Sequence, residues 1–263
     1  MRGDKLKLGW FSSARDKAAR DLLLEVYRRT KDGFIKAELG FIFLTKEKGE
    51  SKGGDEFYAL CEALGLKVMG FSSRRFLPEL RQRDPATWRK LYHQEVKRLI
   101  EGKDIDLGVL SGYMLVVDKL FLKEYALINL HPALPGGPQG SWEEVIWAII
   151  EKRQKETGAM VHLVTEELDR GPALSFFTIH LEGEVFDPLW EGIGGCPNED
   201  LRSYEKAQEL FWTIRKEEEK REPPLLVLTL RALSLGEMDV DKIGSLPPRD
   251  FTEEVEAYLR GKM

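Results

Sequence analysis

Cysteine is nearly absent from the 263 residues: Cys61 and Cys196 are the only two, too few for a disulfide framework or a cysteine-built metal site. Cys61 falls in a helical pattern and reads as a small core residue, and Cys196, in Gly-Gly-Cys-Pro, reads as a loop residue. Long apolar runs are also missing. Nothing approaches the roughly 20 residues that span a bilayer as a helix, so no membrane association is expected. The amino-terminal residues lack the apolar core of a signal peptide, and a cytoplasmic location is the expectation. An excess of positive charge is missing too: 40 Lys and Arg stand against 45 Asp and Glu, a formal charge of −5. Nucleic acid would call for a basic footprint, so it is not an expected partner. There is no internal repeat and no low-complexity segment.

What is present is a 42% hydrophobic chain, enough for one large core, with strand-like and helix-like patterns in alternation. Strands are predicted at 6–11, 37–44, 67–71, 105–110, 126–131, 160–164 and 173–180. Between them lie helices at 14–29, 55–64, 84–102 (opened by Asp84-Pro85 and closed at Gly102), 116–124 and from Ser141 onward. This alternation predicts an α/β fold, a doubly wound and mostly parallel sheet covered on both faces. Ligands of such sheets bind beyond the carboxyl ends of the strands, where the loops after Phe11, Leu44, Leu110 and His131 would gather.

Two of those loops carry polar residues with chemical potential. Asn129 and His131, two apart on one strand, share a strand face, and Asp169 follows in a polar turn after a β-rich run. An amide, an imidazole and a carboxylate that converge can perform acyl transfer to an amine: the first two stabilise an oxyanion, and the third orients the imidazole and collects a proton. Spacing by itself also allows a hydrogen-bonded strand end. His162 lacks a metal-ligand spacing to His131, His180 or Asp169 and reads as a satisfied structural histidine; no metal is expected. His93, on a helix between Tyr92 and Gln94, reads as a surface residue.

The segments Asn129-Leu-His-Pro-Ala-Leu-Pro135 and His162-Leu-Val-Thr-Glu-Glu-Leu-Asp-Arg-Gly-Pro172 resemble the signature of the folate-dependent formyltransferases, above all the branch that formylates glycinamide ribonucleotide. Asp106-Leu-Gly-Val-Leu-Ser-Gly-Tyr-Met114 is similar to the strand and pterin-pocket segment of that family. The resemblance runs in order over residues 6–182 and implies a Rossmann-like formyltransferase. It further implies 10-formyltetrahydrofolate as donor, a small, phosphorylated amine as acceptor, and a place in purine synthesis. By the same resemblance Asn129, His131 and Asp169 are the catalytic trio, while Met114, Leu115, Val117, Thr165, Glu166, Glu167 and Leu168 contact the folate. Leu115 stands where the family often has arginine.

The acceptor loop departs furthest from the family. A Ser-Gly-X-Gly-Ser-Asn type turn, which binds a phosphate at a helix N-terminus, is replaced by Ser12-Ser13-Ala14-Arg15-Asp16-Lys17. Ser12, Ser13, Arg15 and Lys17 still offer hydroxyls and charge, and Gly136 and Gly137 offer backbone N–H groups for a substitute anion nest. A plain capped helix start is the alternative reading of 12–17. Another amine such as an amino sugar, a deformylase using water, and a folate-binding module are the rival functions.

Residues 1–182 are therefore expected to form the catalytic domain. Residues 183–263 are expected to form a loop and helical extension, packed on the sheet or on a second copy as a homodimer would require. Its helices are predicted at 204–221, with the mixed-charge run Arg215-Lys-Glu-Glu-Glu-Lys-Arg221 as solvated face, at 225–235 after Pro223-Pro224, and at 250–259. A β-rich carboxyl-terminal domain of the kind found in initiator-tRNA formyltransferases is not expected.

Overall fold

The computed structural model describes residues 5–263; residues 1–4, part of the amino-terminal stretch considered above, lie outside the described residues. β1 (Leu6–Ser12), α1 (Lys17–Lys31), β2 (Ala37–Leu44), α2 (Lys52–Ala63), β3 (Val68–Gly70), α3 (Pro78–Arg83), α4 (Pro85–Ile100), β4 (Leu107–Leu110), α5 (Lys119–Leu122) and β5 (Leu127–His131) form the first part. α6 (Trp142–Glu151), β6 (Glu156–Leu163), β7 (Ala173–His180), α7 (Asp187–Gly192), α8 (Glu205–Ser234), β8 (Arg249–Asp250) and α9 (Thr252–Leu259) follow. One eight-stranded sheet runs in the order β3-β2-β1-β4-β5-β6-β7-β8. The first five strands are parallel, β6 is antiparallel to both its neighbours, and β8 adds in parallel to β7. The expected doubly wound, mostly parallel α/β fold with a helical carboxyl-terminal part is the fold observed.

The period of two along each strand distributes the core to both faces of the sheet. Leu8, Trp10, Ile42 and Leu44 enter the larger core, shared with α1, α2, α6 and α8. Their neighbours Phe11, Phe41 and Phe43 enter an aromatic core under α4 and α5 with Trp88, Tyr92 and Phe121. At roughly 25 cal/mol per Å² of apolar surface, burial on two faces is the main force fixing the strand order. The chain reverses its direction of travel between β1 and β4, so the loops after β1, β4 and β5 open at one place.

Several local expectations are corrected. α1 begins at Lys17, capped by Asp16, whose side chain accepts from the Ala19 N–H. The segment after β4 is irregular as far as α5, which is only four residues long. β6 begins at Glu156, earlier than the apolar pattern suggested. α8 is one continuous 30-residue helix that contains Pro223 and Pro224. Each proline removes one i→i−4 bond, but the carbonyls left over, those of Glu219 and Lys220, belong to exposed residues and can be hydrated. The run 215–221 is solvated on one side only: Arg215, Glu218 and Glu222 form a buried stripe. His93 is buried at 2% exposure, not on the surface. No helix among the described residues is long and apolar enough to cross a membrane.

Candidate active site

β5 and β6 bring the polar residues together. Antiparallel pairing places Asn129 opposite His162, and β5 ends at His131 because Pro132 supplies no N–H for a further rung. Asp169 lies in the turn between β6 and β7 at φ +52°, a left-handed conformation that aspartate tolerates better than most side chains. Two bonds tie this turn to the loop after β5: Gln139 Nε2 donates to the Leu168 carbonyl at 2.5 Å, and the Gly140 N–H donates to Asp169 Oδ2 at 3.2 Å. Gly171 closes the turn tightly, for a Cβ there would stand 1.7 Å from the Leu163 carbonyl oxygen.

The result is a buried cluster of two imidazoles, one amide and one carboxylate. His131 Nδ1 is 3.7 Å from Asp169 Oδ2, and His162 Nε2 is 3.8 Å from Asp169 Oδ1. Tautomers follow from the partners. His131 Nε2 faces the Pro138 carbonyl at 2.9 Å and must donate to it, which leaves Nδ1, on the Asp169 side, as the nitrogen not held by the protein. His162 Nδ1 faces the Leu163 carbonyl at 3.0 Å and carries its proton there. Its Nε2 therefore accepts from Asn129 Nδ2, 3.2 Å away. Burial lowers the His162 pKa, against the opposing pull of the Leu163 carbonyl, so His162 is a neutral acceptor that orients the Asn129 amide.

Asn129, His131 and Asp169 line a cavity of about 340 Å³ with Arg15, Asp16, Met114, Leu115, Trp142, Leu168, Arg215 and Glu222 among its other walls. A smaller cavity of about 70 Å³ opens beside it, lined by Leu115, Val117, Thr165, Glu167 and Leu168 together with Asn129, His162 and Asp169. Of the residues expected to contact a folate, only Glu166 lines neither.

The residues expected to hold the acceptor are divided. Arg15 lines the main cavity, paired to Glu143 at 2.8 Å. Ser12 and Ser13 are buried and hold the backbone, accepting from the Ala14 and Met114 N–H groups, and Lys17 pairs with Asp21 at 2.5 Å. Gly136 and Gly137 line a separate cavity of about 490 Å³ with Gln154–Thr157.

Sequence reasoning missed Lys46, Arg74 and the α8 pair. Lys46 donates to the Ala14 carbonyl at 3.3 Å, and its pKa is lowered first by burial and then by the Arg74 charge, with Arg15 acting in the same sense and Glu50 and Asp16 against it. Arg215 donates to Glu222 at 2.6 Å and lies over the Trp142 ring, 4.8 Å from its centroid. No local pattern could show that Arg215 and Glu222 face a cavity built mainly by the distant β1, β4 and β5 loops. Among the described residues no group of three or more His, Cys, Asp or Glu side chains is placed to hold a metal ion.

Residues 61–181 match the family model described as formyl transferase. Over 120 residues the chain is 36% identical to phosphoribosylglycinamide formyltransferase of Dictyostelium discoideum, covering 41% of this chain and 56% of that protein. Over 92 residues it is 34% identical to the mitochondrial formyltetrahydrofolate deformylase 2 of Arabidopsis thaliana, covering 34% of this chain and 27% of that protein. The chain spans about half the length, or less, of these relatives. The crystal structure of glycinamide ribonucleotide transformylase 1 from Symbiobacterium toebii matches over 95% of this chain and 94% of that one, with a TM-score of 0.64 at 16% identity. Residues 61–181 thus match the formyl transferase family model, within a chain that shares its fold with glycinamide ribonucleotide transformylase 1 of Symbiobacterium toebii.

Proposed function

We propose that this protein transfers a formyl group from 10-formyltetrahydrofolate to the primary amine of glycinamide ribonucleotide. The observation that carries the reading is the meeting of Asn129, His131 and Asp169 at one cavity, with the distances above. The lining suits the donor: apolar Leu115, Val116 and Val117 stand beside the polar turn of Thr165 and Glu167, and a flat, partly polar ring system needs both. When bound, the donor supplies an activated formyl carbonyl.

The residues then divide the work. The Asn129 N–H not given to His162 and the Nδ1–H of a protonated His131 face the formyl oxygen as it gains negative charge; one such donor lowers the barrier by about 3 kcal/mol. Asp169 orients that imidazolium through a bridging water, since 3.7 Å is too long for a direct hydrogen bond, and it takes the proton the amine sheds and passes it to the folate nitrogen as the C–N bond to the formyl carbon breaks. Lys46, which donates to the Ala14 carbonyl, and Arg15, which lines the cavity, supply positive charge at the loop after β1, where a phosphate of the acceptor would be held.

The test is the absorbance change as the purified protein converts 10-formyltetrahydrofolate to tetrahydrofolate, with and without glycinamide ribonucleotide. Turnover that requires the ribonucleotide supports the reading. Equal turnover without any amine replaces it with the deformylase reading, which the similarity to the plant deformylase favours as second choice.

A further inference from the structure

One wall of the main cavity, residues 112–117, has neither helix nor strand to hold it. Two bonds from Ser13 fix its backbone: the Ser13 N–H donates to the Gly112 carbonyl at 3.1 Å, and Ser13 Oγ accepts from the Met114 N–H at 2.9 Å. Between them, Tyr113 has the only polar side chain of the six residues; the residue lines both the main and the smaller cavity, and its ring packs edge-on against Phe11. Its hydroxyl lies 3.3 Å from Nε2 of His93 on α4.

The direction of that bond is set from the far side of the imidazole. His93 Nδ1 is 2.9 Å from the Arg89 carbonyl, one turn earlier in α4. A carbonyl only accepts, so Nδ1 carries the proton, Nε2 of the neutral ring is a bare lone pair, and Tyr113 is the donor. Burial beside the rings of Tyr92 and Phe121 pushes the His93 pKa down and keeps the ring neutral, with the charges of Asp118 and Arg89 acting in opposite senses. A buried imidazole on a helix otherwise packed with aromatic residues costs desolvation, and its one polar task toward the cavity is to receive this hydroxyl.

We propose that His93 is a positioning residue for the folate donor: by accepting the Tyr113 hydroxyl it locks the ring of a residue that lines both cavities and so sets the path of the wall from Met114 to Val117. This rests on the reading of that wall as part of the donor site. His93 lines neither cavity, so its effect passes entirely through Tyr113.

The test compares His93→Asn, His93→Gln and Tyr113→Phe in the formyl-transfer assay, with thermal melts confirming that each is folded. Asparagine keeps a polar atom near the place of Nδ1 but none at Nε2; glutamine reaches the place of Nε2 and can accept the hydroxyl. His93→Asn and Tyr113→Phe are each expected to raise the KM for 10-formyltetrahydrofolate about tenfold, the scale of one buried polar group, the hydroxyl in the first and His93 Nε2 in the second, left without its partner. The turnover number and the KM for the acceptor should hold within about twofold, and His93→Gln should restore the donor KM. An unchanged donor KM in the asparagine and phenylalanine variants overturns the assignment while leaving the proposed function standing, as does a glutamine variant as impaired as the asparagine one. A wild-type protein that neither turns over nor binds 10-formyltetrahydrofolate overturns both.

Discussion

At the scale of single residues, the site is organised by carbonyl oxygens. The Pro138 and Leu163 carbonyls dictate which nitrogen of His131 and His162 carries a proton, and the His162 lone pair in turn aims the Asn129 amide. His162 is therefore more than the satisfied structural histidine suggested by its lack of metal-ligand spacing. Replacing Asn129 by Ala removes one of the proposed oxyanion donors and leaves His162 Nε2 without a partner. The turnover number is expected to fall about 100-fold or more while the donor KM changes little, as steady-state kinetics over both substrates will show. A loss confined to KM would mean that Asn129 binds the substrate equally well in ground and transition states.

At the scale of elements, two segments carry consequences. The turn between β6 and β7 delivers Asp169 only because Gly171 allows the backbone to pass the Leu163 carbonyl. Gly171→Ala is expected to push the turn outward, lowering turnover at least tenfold and the melting temperature by several degrees; a variant with full activity would show that Asp169 is placed by Gly140 and not by the turn. In α8, Glu218 is fully buried, with Thr157 donating to one carboxyl oxygen at 2.6 Å and no partner for the other. Burial raises its pKa well above the usual carboxylate range, and the Glu222 charge adds to the rise, against the Thr157 bond and Arg215. The native state thus holds a proton that the unfolded chain releases near pH 4.3. The stability due to this group is complete below that pH and declines as pH rises toward the raised native value. Glu218→Gln removes the titration, so its advantage in melting temperature over the wild type should widen steadily from pH 5 to pH 8; parallel melting curves would mean that Glu218 is already ionised.

At the scale of the whole molecule, the carboxyl-terminal part is structural as well as local to the site. α8 packs on α1, β6, β7, α6, α7 and α9, and its run from Pro224 to Leu230 is buried. It also delivers Arg215 and Glu222 to the cavity. Removing residues 205–263 would bare apolar faces of α1 and of the β6–β7 part of the sheet. The truncated chain is expected to be insoluble or to lack a cooperative melt, which sedimentation and circular dichroism will report; a soluble, cooperatively folding product would show that the core needs only the first part of the chain.

The sequence by itself determined the alternation of strands and helices and the end of β5 at His131-Pro132, and it offered Asn129, His131 and Asp169 as candidates. The first two are local signals, strand period and a missing proline N–H; the third is a resemblance carried by two separate segments. It misplaced His93 and the 215–221 run and divided α8, because the pattern along one helix tells which residues share a face but not what that face meets. In α8, burial against α1, β6 and β7 outweighs the hydrogen bonds lost to two prolines. Only the tertiary structure decided that Lys46 meets the loop after β1 and that Arg215 and Glu222 reach the cavity. These contacts join residues far apart in the chain, and whether a charged side chain is buried and paired depends on which elements the sheet brings beside it.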